Sequence, residues 1–248
     1  MNKDKLQIDI FNTRKEMGEM AAREVADCIK KLLSEKEVIR MIFAAAPSQN
    51  EFLEALVDDQ DIDWTRIEAF HMDEYVGLPK DAPQGFGNFL DRAIFSKVSF
   101  KSVSYINGQI DTDEACKEYA DKIGQASIDI VCMGVGENGH IAFNDPPVAD
   151  FEDKAVIRRV QLDEVCRQQQ VNDGCFATID DVPKYALTLT IPTLFACEYV
   201  FCVVPAKTKA QAVYNMLHWD INEKCPATVL RRHDKAKLYL DGDSSALL

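Results

Sequence analysis

Basic residues are scarce. The chain has 28 Lys plus Arg against 41 Asp plus Glu, a formal net charge of −13 and a sequence pI ≈ 4.8. That balance argues against nucleic acid or an anionic membrane as a partner, since both recruit basic faces. It leaves room for an anionic small substrate, because a few local cations can dominate one pocket. No window approaches ~18 consecutive apolar residues, so no membrane span is expected. The first residues, M-N-K-D-K-L-Q-I-D-I-F, lack an apolar segment of signal-peptide length. None of the eight cysteines stands in a C-x-x-C pair, and Cys132 (I-V-C-M) and Cys202 (V-F-C-V-V) sit inside apolar runs. They read as buried, reduced thiols, and the expected location is the cytoplasm. Repeats, low-complexity tracts and linkers are missing as well. With 248 residues at 47% hydrophobic, one domain over 1–248 is expected, with 145–185 as an inserted lid.

What is present is alternation of two periodicities. Thr13-Arg-Lys-Glu16 is a capping box opening an amphipathic helix to about Glu35. Ser48-Gln-Asn-Glu51 reads as a second box, with a helix to about Val57. Further helices are expected over 86–97, 113–123 and 207–217, with a helical patch at L-D-E-V-C-R-Q-Q-Q. Strands are expected over 38–46, 67–72, 103–106, 128–135, 185–190, 199–204 and 237–241. Between Pro147 and about Gln161 the periodicity fails. Strands alternating with helices of this length imply an α/β fold: a three-layer α/β/α sandwich around a mostly parallel, Rossmann-like sheet.

Ligands of such sheets bind beyond the carboxyl ends of the strands. Four polar segments fall there: 46–50, 72–75, 136–140 and 205–209. The densest surrounds the third, G-V-G-E-N-G-H-I-A-F-N-D-P-P (134–147). It contains a G-x-G-x-x-G match, but Pro146-Pro147 would end any helix running from it, which disfavours a dinucleotide site. A plain glycine turn accounts for the glycines and leaves the clustering of Asn138, His140 and Asp145 unexplained. An imidazole held in one tautomer by such neighbours can move protons near neutral pH.

In F-H-M-D-E-Y (70–75) a solvated turn competes with a carboxylate held at the sheet rim as general base. Burial among Phe70, Met72 and Tyr75 would raise its pKa. Asp73 and Glu74 point to opposite sides of an extended chain, so one of them faces the pocket. His71 and Asp73 can share a side, but with four histidines and no third spaced ligand the metal reading is weak. Lys207, Lys209 and Ser48-Gln49-Asn50 start helices, where ammonium, hydroxyl or free amides can capture phosphate.

Taken together, F-H-M-D-E-Y-V-G-L-P (70–79), G-V-G-E-N-G-H-I-A-F-N-D-P (134–146), V-P-K-Y-A-L-T (182–188) and A-K-T-K-A (206–210) resemble the glucosamine-6-phosphate deaminase/isomerase family, which shares its fold with 6-phosphogluconolactonases. The resemblance spans essentially the whole chain. It implies a 2-amino-2-deoxyhexose 6-phosphate as substrate and a ketose 6-phosphate plus ammonia as products. His140 resembles the ring-opening proton shuttle and Asp73 the base at C2. Asn138 and Asp145 fall where the family orients its histidine, and Lys209 matches its phosphate lysine. Ser48, Gln49, Glu74, Gly136, Gly139 and Arg167 complete the expected substrate contacts. No metal or organic cofactor is implied, and a homo-oligomer is one expectation. The sequence departs from the family in a glycine-free first loop (A-A-A-P-S-Q-N-E), in Asn at 138 where many members have Asp, and in Asp at 145 where Glu is commoner. Alternatives are the galacto epimer, a 6-phosphogluconolactonase (a hydrolase), and a non-catalytic sugar-phosphate sensor.

Overall fold

The computed structural model describes residues 1–110 and 112–248. In chain order the elements are β1 (Asn2–Lys3), β2 (Leu6–Ile10), α1 (Arg14–Glu35), β3 (Ile39–Phe43), α2 (Asn50–Val57), β4 (Ile67–His71), β5 (Asp73–Tyr75), α3 (Phe86–Leu90) and β6 (Ser102–Ser104). There follow α4 (Thr112–Ile123), β7 (Ile130–Met133), β8 (Ile157–Gln161), α5 (Glu164–Asn172), β9 (Tyr185–Leu189), α6 (Ile191–Phe195), β10 (Tyr199–Val204), α7 (Ala210–His218) and β11 (Ala236–Leu240). Among the described residues eight strands form the main sheet, in the order β1-β2-β11-β10-β7-β3-β4-β6. Every pairing in it is parallel except β1 with β2.

The central strands are apolar on both faces because both faces are covered. Ile39, Met41, Phe43, Ile130, Cys132, Phe201 and Val203 pack into one core; Ile42, Val131, Met133, Cys202 and Val204 pack into the other. This period of two sorts alternate residues of one strand into opposite layers. Arg40 is charged yet almost fully buried in β3. It is tolerated because its guanidinium donates to the Lys122, Ile123 and Ala126 carbonyls and pairs with Glu68 at 3.2 Å. No helix is long and apolar enough to cross a membrane among the described residues.

The Thr13 capping box forms with both bonds at 3.1 Å, an arrangement worth about 1 kcal/mol. The second expected box does not form. Pro47–Gln49 makes a 3₁₀ turn, and α2 starts at Asn50 without a side-chain cap. The expected helix 86–97 is α3 followed by a π-type turn, Asp91–Phe95. The apolar run 185–190 is a strand, β9, but it lies outside the parallel sheet. It is the centre of a second, antiparallel sheet, β5-β9-β8, which also accounts for strand structure at 157–161 where no periodicity was legible. The segment 145–185 thus carries β8, α5 and a 3₁₀ turn at Ile179–Asp181.

Candidate active site

The strand order reverses around β7. The chain leaves β3 toward β4 and β6, returns to β7 at the centre, then continues outward through β10 and β11. The crevice beyond the carboxyl ends of β3, β7 and β10 is the ligand position such a sheet creates. A cavity of ≈ 110 Å³ lies there, and its walls include Ser48, Gln49, Asp73, Gly136, His140 and Lys209. These six expected residues come from four separate strand ends and meet at one place.

The loop after β7 is built to hold an imidazole. Gly139 N–H donates to Gly136 O at 3.0 Å and Gly136 N–H to His140 O at 2.9 Å, closing a tight turn. The His140 ring then lies directly over Gly136, where a Cβ would fall 2.1 Å from Cε1. His140 Nδ1 sits 2.8 Å from Asn138 Oδ1 and 2.9 Å from Asp145 Oδ1. Asn138 Nδ2 donates to that same Asp145 oxygen at 2.9 Å, and Asn138 Oδ1 also accepts from His140 N–H at 3.0 Å. With two acceptors at Nδ1, the proton resides there and Nε2 is left as the free base. Burial pushes the Asp145 carboxyl up, but attraction to His140 and the bonds from His140 and Asn138 outweigh it and hold it below the usual range.

Asp73 begins β5 where the chain leaves the main sheet for the second one. The residue is 6% exposed, and burial, with Glu74 and Asp145 nearby, raises its pKa well above the ordinary carboxylate value. Lys209 ends the 3₁₀ turn after β10 and is 5% exposed. Burial lowers its pKa, opposed by Asp173, Glu137 and Cys166. Gln49 Nε2 donates to Val203 O at 3.1 Å, tying the first loop to β10, while its buried Oε1 has no hydrogen-bond partner among the described residues.

Three expected contacts do not line the cavity. Glu74 accepts from the N–H groups of Tyr75, Phe86 and Gly87 at 2.9–3.0 Å, so its carboxylate anchors the start of α3 instead. Gly139 packs against Cys225, whose Sγ would lie 2.6 Å from a Cβ there, and its φ of +85° serves the turn. Arg167 donates to the carbonyls of Ile179 and Val182 at 2.5 and 3.0 Å. The reason is helical phase: Cys166, Gln169, Gln170 and Asp173 form the i, i+3, i+4, i+7 stripe that faces inward, and Arg167 is off it. Asn138 and Asp145 stand behind His140, outside the cavity wall.

Reading the sequence also missed walls. Gln169 and Gln170 on α5 and Asp173 at its C-terminal end line the cavity, as do Thr208 and Arg14. Arg14 pairs with Glu51 at 2.7 Å and donates to Pro47 O. Its place at the first helical position, inside the Thr13–Glu16 capping box, was the available signal. A second hollow of ≈ 360 Å³ shares Pro47, Phe86, Gln170 and Asp173 with the first. The His140, Asp145 and Cys166 ligand atoms lie within 4.8 Å of one another and all three residues are buried. Within this grouping the imidazole and the carboxylate are joined through Nδ1 and Oδ1 at 2.9 Å.

The family described as glucosamine-6-phosphate isomerases/6-phosphogluconolactonase matches residues 12–239. A glucosamine-6-phosphate deaminase of Clostridium acetobutylicum is 28% identical over 248 residues, 98% of this chain and 100% of the relative. One of Bacillus cereus is 30% identical over 243 residues, 98% of this chain and 89% of the relative. The solved structure of a monomeric glucosamine-6-phosphate deaminase superposes with a TM-score of 0.86 at 28% identity, covering 98% of this chain and 100% of that one. A 6-phosphogluconolactonase of Thermotoga maritima, 20% identical with a TM-score of 0.78 over 95% of this chain and 99% of that one, shares the fold.

Proposed function

The chain belongs to the family of glucosamine-6-phosphate isomerases and 6-phosphogluconolactonases, and from that membership we propose that it converts glucosamine 6-phosphate into fructose 6-phosphate and ammonia. The observation that carries this reading is that Asp73 and His140, brought from different strand ends, line one cavity.

The chemistry follows from what each group can do. His140 Nε2 takes the proton of the anomeric hydroxyl and returns it to the ring oxygen, opening the pyranose to the aldehyde. Asp73, ionised, removes the proton from C2 while the C1 oxygen takes one from the substrate's own 2-ammonium group, which gives an enolamine. The Asp73 carboxylic acid then protonates C1, and the double bond moves to C2 as an iminium. Water adds at C2, ammonia leaves, and the ketose remains. A carboxylate with raised proton affinity suits a carbon acid; hydrolysis of a lactone needs no such base, which favours the amino sugar over the lactonase reading.

For the 6-phosphate, Lys209, Thr208, Ser48 and Arg14 supply charge and donors beside two 3₁₀ turns that open helices. Asp145 and Asn138 serve as orienting groups for His140. We take 1–248 as one domain whose α5 region moves to admit substrate, since 110 Å³ is small beside the ~300 Å³ at which ligand pockets begin. The test is a coupled ammonia assay on glucosamine 6-phosphate and galactosamine 6-phosphate, with 6-phosphogluconolactone as a third substrate. Ammonia release from the gluco epimer is expected; activity on the lactone alone would overturn the assignment.

A further inference from the structure

Asp145 is 1% exposed, and only one of its oxygens is accounted for by His140 and Asn138. Its Oδ2 has no hydrogen-bond partner, sulfur donors included, among the described residues. A buried anionic oxygen left bare is costly, so a neighbour should serve it. That neighbour is Cys166. It is 1% exposed, and its Sγ lies within 4.8 Å of both the His140 and Asp145 ligand atoms. Burial, then Asp145 itself, drives the Cys166 pKa well up, so the sulfur keeps its proton and acts as a donor.

Cys166 does not belong to the sheet rim that carries Asp145 and His140. It stands on α5, whose inward stripe continues with Gln169, Gln170 and Asp173. Gln169 Oε1 accepts from Glu137 N–H at 2.8 Å, a second fastening of the same helix to the same loop. Two further residues of the stripe, Gln170 and Asp173, reach the cavity wall.

We propose that Cys166 is a positioning residue: its thiol, delivered by α5, holds Asp145 in the orientation that fixes His140, so that the helix covering the site completes the proton shuttle only when it is docked. This deepens the catalytic reading above and rests on it. When α5 lifts to admit substrate, Asp145 loses one donor; when it closes over the sugar, the Cys166–Asp145–His140 chain is restored, and ring opening becomes efficient with solvent excluded.

Cys166→Ala and Cys166→Ser test this on the full chain. Cys166→Ala is expected to lower kcat about ten-fold, the scale of one hydrogen bond to a charged group, with KM within two-fold. Cys166→Ser, which restores a donor, is expected to recover most of kcat even if its melting temperature falls like that of the alanine variant. Equal kcat losses in both variants, or a loss confined to KM, would overturn the proposal, because packing alone would do that. A second arm needs no turnover. The infrared S–H band that disappears in Cys166→Ala should move to higher wavenumber in Asp145→Asn; an unmoved band would mean that the thiol does not serve the carboxylate. A wild type inactive on the amino sugar would instead sink the functional reading and leave this band to judge the contact.

Discussion

His140 Nδ1 lies 2.9 Å from Asp145 Oδ1, and Asn138 donates to that same oxygen at 2.9 Å. One carboxylate oxygen thus receives two donors from the loop it belongs to, and this defines both the ring tautomer and the ring plane. Asp145→Asn keeps one oxygen able to accept from both donors but removes the negative charge that stabilises the imidazolium His140 becomes when it takes a proton. We expect kcat to fall about 100-fold, the lower range for disabling a general acid–base group. Stability should fall by about 1.5–3 kcal/mol, as for a lost hydrogen bond to a charged group. Steady-state kinetics and urea midpoints check the two effects. Because the native Asp145 pKa is depressed, its stabilisation is present above the ordinary carboxylate pKa and fades as pH falls through the native one.

Asp73 has the opposite sign. Its native pKa is raised, chiefly by burial, so the stability it contributes is complete below the unfolded carboxylate pKa and is lost as pH rises through the native one. Ionisation at neutral pH therefore costs stability and creates the base. Asp73→Asn should melt higher than wild type at pH 8, with the gap closing toward pH ~4. The same variant should lose exchange of the C2 proton with solvent deuterium by at least about 100-fold. In wild type the acidic limb of kcat/KM should lie above the ordinary carboxylate range. Unaltered C2 exchange in Asp73→Asn would remove it from the reaction.

Lys209 presents a similar conflict between fold and function. The residue is 5% exposed and its pKa is lowered by burial. Lys209→Met keeps the aliphatic stem and discards the buried charge, so the variant should be at least as stable as wild type. KM for glucosamine 6-phosphate should nevertheless rise about 10- to 100-fold, the equivalent of one charge-assisted contact. An unchanged KM would move the phosphate elsewhere in the cavity, with Arg14 the next cation to examine.

The parts of the fold legible in the sequence were those whose burial is two-sided. V-I-R-M-I-F and Y-V-F-C-V-V read as strands because both of their faces are covered. β8, I-R-R-V-Q, escaped notice because half of it faces out and its partner, β9, lies beyond α5 in the chain. For β9 the apolar run announced burial and said nothing of direction, so its antiparallel sheet was invisible. At the site, Asp73 and His140 could be found because their neighbours in sequence are also their neighbours in space. The inward stripe of α5 could not, because the phase of a nine-residue helix is undefined until its packing is known. A shift of one residue turned Arg167 toward the Ile179 and Val182 carbonyls and brought Gln169 and Gln170 to the cavity.

Gly136 offers the sharpest separation of catalysis from folding. A Cβ there would lie 2.1–2.3 Å from three atoms of the His140 ring. Real contacts of that length do not occur, so the imidazole must leave its place over the loop, breaking the Nδ1 bonds to Asn138 and Asp145. The backbone needs no unusual torsion at 136, since its φ is not positive. Gly136→Ala should therefore fold, with stability reduced by about 1–3 kcal/mol as in other overpacked interiors. Its kcat should fall about 100-fold or more, because the shuttle is displaced rather than deleted. Phosphate binding, measured by competition with inorganic phosphate, should change little, as Lys209 and Ser48 belong to other strand ends. If Gly136→Ala retained wild-type kcat, the ring over Gly136 would not be the group that opens the sugar.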